Sequence, residues 1–227
     1  MKSKVLTVFL ALAVSTAANA QFGGLGGLGG LMGGSKGGGG DVGAQVEAFN
    51  TEANLINKTV AFALIQIVGA LGDKTKIADI KAVNESLSKS TDTKEIGAIT
   101  GSIIKNNAAE AEELLKSKDA KAKMESLSPE MQKKVGQSIF AVGVAALRIP
   151  AAINQGKNIV SGVAANPMNL PKVVPVKDGL SLFADVLPKL PTLVSTGFQL
   201  MRDVKVEAGN PTADAKLAPE SASFPES

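Results

Sequence analysis

VGAQVEAFNTEANLINKTVAFALIQIVGAL, residues 42–71, decides the fold. Within it Val42, Val46, Phe49, Ala53, Ile56, Val60, Ala63, Ile67 and Ala70 recur at alternating spacings of four and three. An α-helix turns once every 3.6 residues, so this spacing lines the apolar side chains along a single seam. A helix over this range is about 45 Å long. Its second half loses its polar face, because Val60-Ala61-Phe62-Ala63-Leu64-Ile65 is followed by Ile67-Val68. A helix that is apolar on every side belongs in a protein core or in lipid. The apolar run of about twelve residues is short of the roughly twenty that a bilayer demands, and Asn57, Lys58 and Gln66 interrupt it. The expectation is burial in protein.

Toward the N-terminus, Lys2 and Lys4 precede an uncharged apolar run, Val5 to Val14, and Ala18-Asn19-Ala20 closes the segment. A positive start, a short apolar stretch and small residues at an A-x-A site describe a secretory signal peptide over residues 1–20. Cleavage before Gln21 is expected, with a periplasmic or secreted product. No cysteine follows that site to carry a lipid. Residues 21–40 repeat Gly-Gly-Leu and hold half of the chain's 24 glycines. Glycine loses more backbone freedom on folding than any other residue, so this stretch reads as a flexible low-complexity tether. Its leucines offer a second reading, a sticky segment that engages a partner, a membrane or other copies. It contains neither a phosphate-cradling loop nor a calcium-binding repeat.

Asp41 is placed to cap the long helix. Beyond it, Ile77, Ile80, Val83 and Leu87 mark a helix over 75–89, and Ile96, Ile99, Ile103, Ala108, Ala111 and Leu115 another over 93–117 capped by Asp92 or Thr93. Ser128-Pro129-Glu130 is a helix start, with serine capping and proline in the first turn. Met131, Val135, Ile139, Val142, Ala146 and Ile149 continue the stripe to Pro150, which is expected to kink or stop it. A shorter helix over 151–165, an extended crossing at 167–176, and helices over 177–186 and 193–206 complete the reading. Residues 208–227, rich in Ala, Pro, Ser and Glu, are expected to be a disordered tail. The whole is an all-α fold, an irregular bundle of about six helices over 41–207. Val60, Leu64, Ile67, Ile139, Val142 and Leu147 are expected at its centre.

The chemical inventory is narrow. With no His and no Cys, Ser-His-Asp and Cys-His arrangements are excluded, and so are the usual zinc ligand sets. Losing Lys2 and Lys4 would lower the formal net charge of +3 by two, leaving a nearly neutral protein. Arg148 and Arg202 are the chain's arginines, and no basic cluster is interleaved with aromatics, so nucleic acid is not an expected partner. Glu110 and Glu113 share a helix face near Glu112, but Lys116 and Lys118 lie within a turn, and surface ion pairing is the simpler account. Lys105, Lys157 and Lys177 have hydroxyl residues near in sequence without a convincing Ser–Lys motif. Asn57-Lys58-Thr59 and Asn84-Glu85-Ser86 match the glycosylation sequon, which a bacterial-type leader makes irrelevant. No catalytic, cofactor-binding or metal-binding residue is assigned, and no cofactor is expected. The expected function is that of an exported non-catalytic protein acting through helix faces, by binding a protein partner or by self-association in the cell envelope or outside the cell. The alternative is a membrane-active protein, or one that carries a lipid or other apolar ligand.

Overall fold

A helix with no polar face needs neighbours on every side, and α1 (Val42–Leu71) has them. The computed structural model describes residues 42–90, 93–163, 171, 173–219, 221, 222 and 224. The leader, the glycine tether, the caps at Asp41 and Asp92 and half of the proline-rich crossing lie outside the described residues. Every residue from Thr59 to Gly69 is buried. Along the seam, Val46, Phe49, Ala53, Ile56, Val60, Ala63 and Ile67 are buried as well.

Around α1 stand α2 (Ile77–Lys89), α3 (Thr93–Lys116), the short α4 (Ala120–Ser126), α5 (Pro129–Val163) and α6 (Val174–Val186). A single 3-10 turn at Lys74–Lys76 precedes α2, and Asp73 Oδ1 accepts the Thr75 N–H at 2.9 Å to start it. α5 and α3 make the broadest contacts with α1, while α7 (Leu190–Asp203) closes the bundle against α5 and α3. Among the described residues there are seven α-helices and no strand.

Four particulars differ from the sequence reading. Pro150 does not end its helix, and the separate helix expected over 151–165 is the second half of α5. Proline removes one N–H and crowds the carbonyl four residues earlier; Pro150 is exposed, so water can serve that carbonyl. α6 begins at Val174, inside the stretch expected to be extended, because Pro175 occupies a first-turn position where its missing N–H costs nothing. α7 begins at Leu190 for the same reason, with Pro191 in its first turn. Leu147, expected in the core, is 49% exposed, whereas Val60, Leu64, Ile67, Ile139 and Val142 are buried. The seventh helix is α4, whose seven residues are too few to show a period. Ser128 does cap α5, accepting the Met131 N–H on Oγ at 3.3 Å.

One ion pair is largely enclosed. Arg148 on α5 meets Glu52 on α1 at 2.9 Å, with side-chain exposures of 11% and 14%. Burial raises the Glu52 carboxyl above its ordinary 4.5, and the Arg148 charge and hydrogen bond only partly offset that. The pair therefore fixes how α1 and α5 align more than it adds to stability. Arg148→Met or Glu52→Gln should each lower stability by about 1–3 kcal/mol, because each strands its partner, while Glu52→Leu with Arg148→Met should recover most of the loss. Urea unfolding of the three variants checks this. Because folded Glu52 holds its proton more tightly than the unfolded chain does, its contribution is fullest below pH 4.5 and is lost as pH rises through the folded value. Wild type should show that dependence and Glu52→Gln should not.

Candidate functional site: the seam that holds the C-terminal segment

The apolar faces left open by the helices are covered by residues that follow α7. α7 ends in a reversal: Lys205 is left-handed (φ 59°), its N–H bonds to Arg202 O at 3.2 Å, and the Val206 N–H bonds to Met201 O at 2.9 Å. This pairing lets a helix end and the chain turn back across it. From Val206 onward the described residues contain no helix or strand. Within this stretch, residues 208–227 were expected to be a disordered tail, and their lack of Ile and Val gave no sign of the contacts that Pro211, Leu217, Ala222 and Phe224 make.

Gly136, Phe140 and Gly143 lie on one face of α5 at spacings of four and three. A Cβ on Gly136 would stand 3.3 Å from Val206, and one on Gly143 would stand 2.9 Å from the Pro211 ring. Gly209, at φ +71°, turns the chain beside Phe140. The two glycines are thus notches that let an extended chain approach the helix. Farther on, Leu217 is buried.

The closest grip lies at the far end. Asn84 on α2 donates from Nδ2 to Ala222 O at 3.1 Å and accepts the Ala222 N–H on Oδ1 at 2.9 Å. One side-chain amide therefore satisfies both main-chain groups of one residue, recognition that does not depend on that residue's side chain. The same Nδ2 donates to Ser221 Oγ at 2.9 Å, and Ser88, one turn along α2, places its Oγ 3.2 Å from Ser221 Oγ while donating to the Asn84 carbonyl at 2.7 Å. Two residues beyond, the Phe224 ring sits on Gly69 of α1, where a Cβ would lie 2.6 Å from the ring carbons. The Lys81 ammonium stands 5.8 Å from the ring centroid. Ala222 and Phe224 also close a small apolar cluster of Ala61, Phe62, Ile65, Leu87 and Ile103.

Between these two stretches lies a half-open cleft of about 260 Å³. It is lined by Phe62 and Gln66 of α1, Lys134 and Phe140 of α5, and Lys216 and Leu217. Gln66 is buried and donates to Met131 Sδ at 3.2 Å.

The residues weighed from sequence are scattered. Glu112 pairs with Lys116 on the surface of α3, Glu113 is exposed, and among the described residues no three His, Cys, Asp or Glu side chains gather to hold a metal. Lys105, Lys157 and Lys177 are exposed on different helices. Asn57 is buried in α1. Asn84, noted only as a sequon, is the central residue of the clamp; the available signal was a polar Asn84 in the apolar stripe of α2, between Ile80 and Leu87, with Gly69 in the fully buried stretch of α1. No protein-family model matches this chain, and no curated protein or solved structure matches it either.

Asn84→Ala removes three hydrogen bonds worth about 1 kcal/mol each. It should release residues 217–224, seen as faster amide exchange at Ala222, while α1 and α5 stay protected. Gly69→Ala should displace Phe224 to the same effect, and unchanged exchange in both variants would refute the clamp.

Proposed function

We propose that this protein is exported, acts without catalysis, and works by gripping an extended polypeptide segment in the seam formed by α1, α2 and α5. The observation that carries this reading is the Asn84 amide paired with both main-chain groups of Ala222. Main-chain hydrogen bonds supply sequence-tolerant affinity, and pockets at fixed spacing supply selection. Here the Gly143 notch takes Pro211 and the Gly69 notch takes Phe224. In the free protein the occupant is the chain's own C-terminal segment, so a partner or a second copy competes with it. The absence of His and Cys and the glycines that open the notches suit binding rather than bond-breaking.

A labelled peptide of residues 210–227 tests the reading. Added to full-length Phe224→Ala, in which the resident segment is weakened and the seam is intact, it should bind saturably. It should bind Phe224→Ala/Asn84→Ala at least tenfold more weakly, a loss of about 1.4 kcal/mol or more. Absence of saturable binding to Phe224→Ala would overturn the proposal. Export rests on residues 1–20 and has its own check: intact mass of the protein recovered outside the cytoplasm should correspond to a chain beginning at Gln21.

A second reading, membrane action or carriage of an apolar ligand, draws on α1 and α5, each long and apolar enough to cross a membrane by length and composition. In α1, 78% of the most apolar window is enclosed by protein, against 44% in α5, so α5 is the helix by which a bilayer would be met. Dye release from liposomes and mass spectrometry for co-purified lipid test it; neither signal would appear if the seam binds only polypeptide.

A further inference from the structure

We propose that the occupant of the seam in the assembled protein is the C-terminal segment of a second copy, so that the chain self-associates by exchanging residues 210–224. This rests on the reading of the seam as a polypeptide-binding site and adds the identity of the partner.

The contacts that seat the segment are made between it and the helices, and they are the same whichever copy supplies it. Pro211 in the Gly143 notch, Leu217 in the core, the Asn84 clamp on Ala222 and Phe224 on Gly69 would all be kept. Exchange of an identical element is a low-cost route to association for this reason, since only the connection between element and body has to change. That connection is suited to change. Glu207, Gly209 and Asn210 are exposed, and among the described residues no backbone hydrogen bond ties 207–211 to a helix. Gly209 already uses a positive φ and, as glycine, has the extended region equally open to it. The turn at Lys205 that closes α7 need not alter, so the change is confined to an exposed connection beside a segment whose contacts either copy can make. The grip at Ala222 is on main chain, so the Asn84 amide would hold the segment of another copy in the same way.

The chain has no cysteine, so the position of the segment can be read by disulfide formation. Ser88 and Ser221 place their hydroxyls 3.2 Å apart, and replacing serine by cysteine leaves both Asn84–Ala222 hydrogen bonds and both notches in place. Full-length Ser88→Cys and full-length Ser221→Cys, distinguished by an affinity tag on one of them, are mixed and oxidised. Exchange predicts the mixed disulfide in several-fold excess over the two like-with-like disulfides, with loss of that excess when Gly143→Val is added to the Ser88→Cys copy. The double variant Ser88→Cys/Ser221→Cys is oxidised at high dilution in parallel. A link within one chain, with no excess of the mixed disulfide, leaves the seam reading standing and overturns exchange. No link in either experiment overturns both.

Discussion

A stretch of eleven consecutive residues in α1, Thr59 to Gly69, has no side facing water, and the rest of the molecule is arranged to supply the enclosure it needs. Helices normally leave one face solvated. Dispensing with that face means contact all the way round, and two flanking helices cover only part of the circumference. α3 and α5 take the largest shares, α2, α4 and α6 take sectors near the ends, and the segment after α7 fills what remains with Ala222 and Phe224. The same segment completes α5, whose run from Val142 to Ala145 is buried without a break. Enclosure here is achieved by the neighbouring helices and a length of irregular chain together.

Packing at close range explains the composition. Aromatic residues are only 4% of the chain, with no Trp or Tyr, and the core is filled by branched aliphatics with glycine and alanine at the crossings. Gly156 and Gly179 admit Phe49, and Gly197 admits Ile139, each at a distance that a Cβ would close. Phe49 and Phe183 meet edge to face at 6.4 Å, a favourable arrangement of ring quadrupoles. Polar groups inside this packing are answered locally: Thr59 and Thr100 donate to carbonyls four residues back at 2.8 and 2.7 Å, and Lys123 donates to the Leu71 carbonyl at 3.1 Å, where α1 ends.

What could be read from the sequence followed from periodicity. The bounds of α1 and the burial of Ile139 and Val142 come from a repeat long enough to outweigh local exceptions, and the start of α5 came from the local cap signal Ser128-Pro129. The errors fall where a single residue was given more weight than its surroundings. Pro150 and Pro175 were read as breaks, though proline is tolerated where its carbonyl neighbour reaches water or where it begins a helix. Leu147 was assigned to the core by hydrophobicity, though it lies off the stripe. The clamp was hidden for a different reason. Asn84 and Ala222 are 138 residues apart, and pairing between an amide on one helix and main chain elsewhere leaves no periodic trace. Composition likewise could not show that Pro211, Leu217 and Phe224, spread through a polar tail, are spaced to meet three separate recesses.

The position of the covering segment in the chain has a consequence for how the protein is made. Ribosomes deliver residues 42–163 well before 206–224, and domains assemble in the order they emerge. During that interval two long helices are complete while the chain that seals them has yet to be synthesised. The nascent protein therefore passes through a stage in which the apolar patch that Ala222 and Phe224 close is bare.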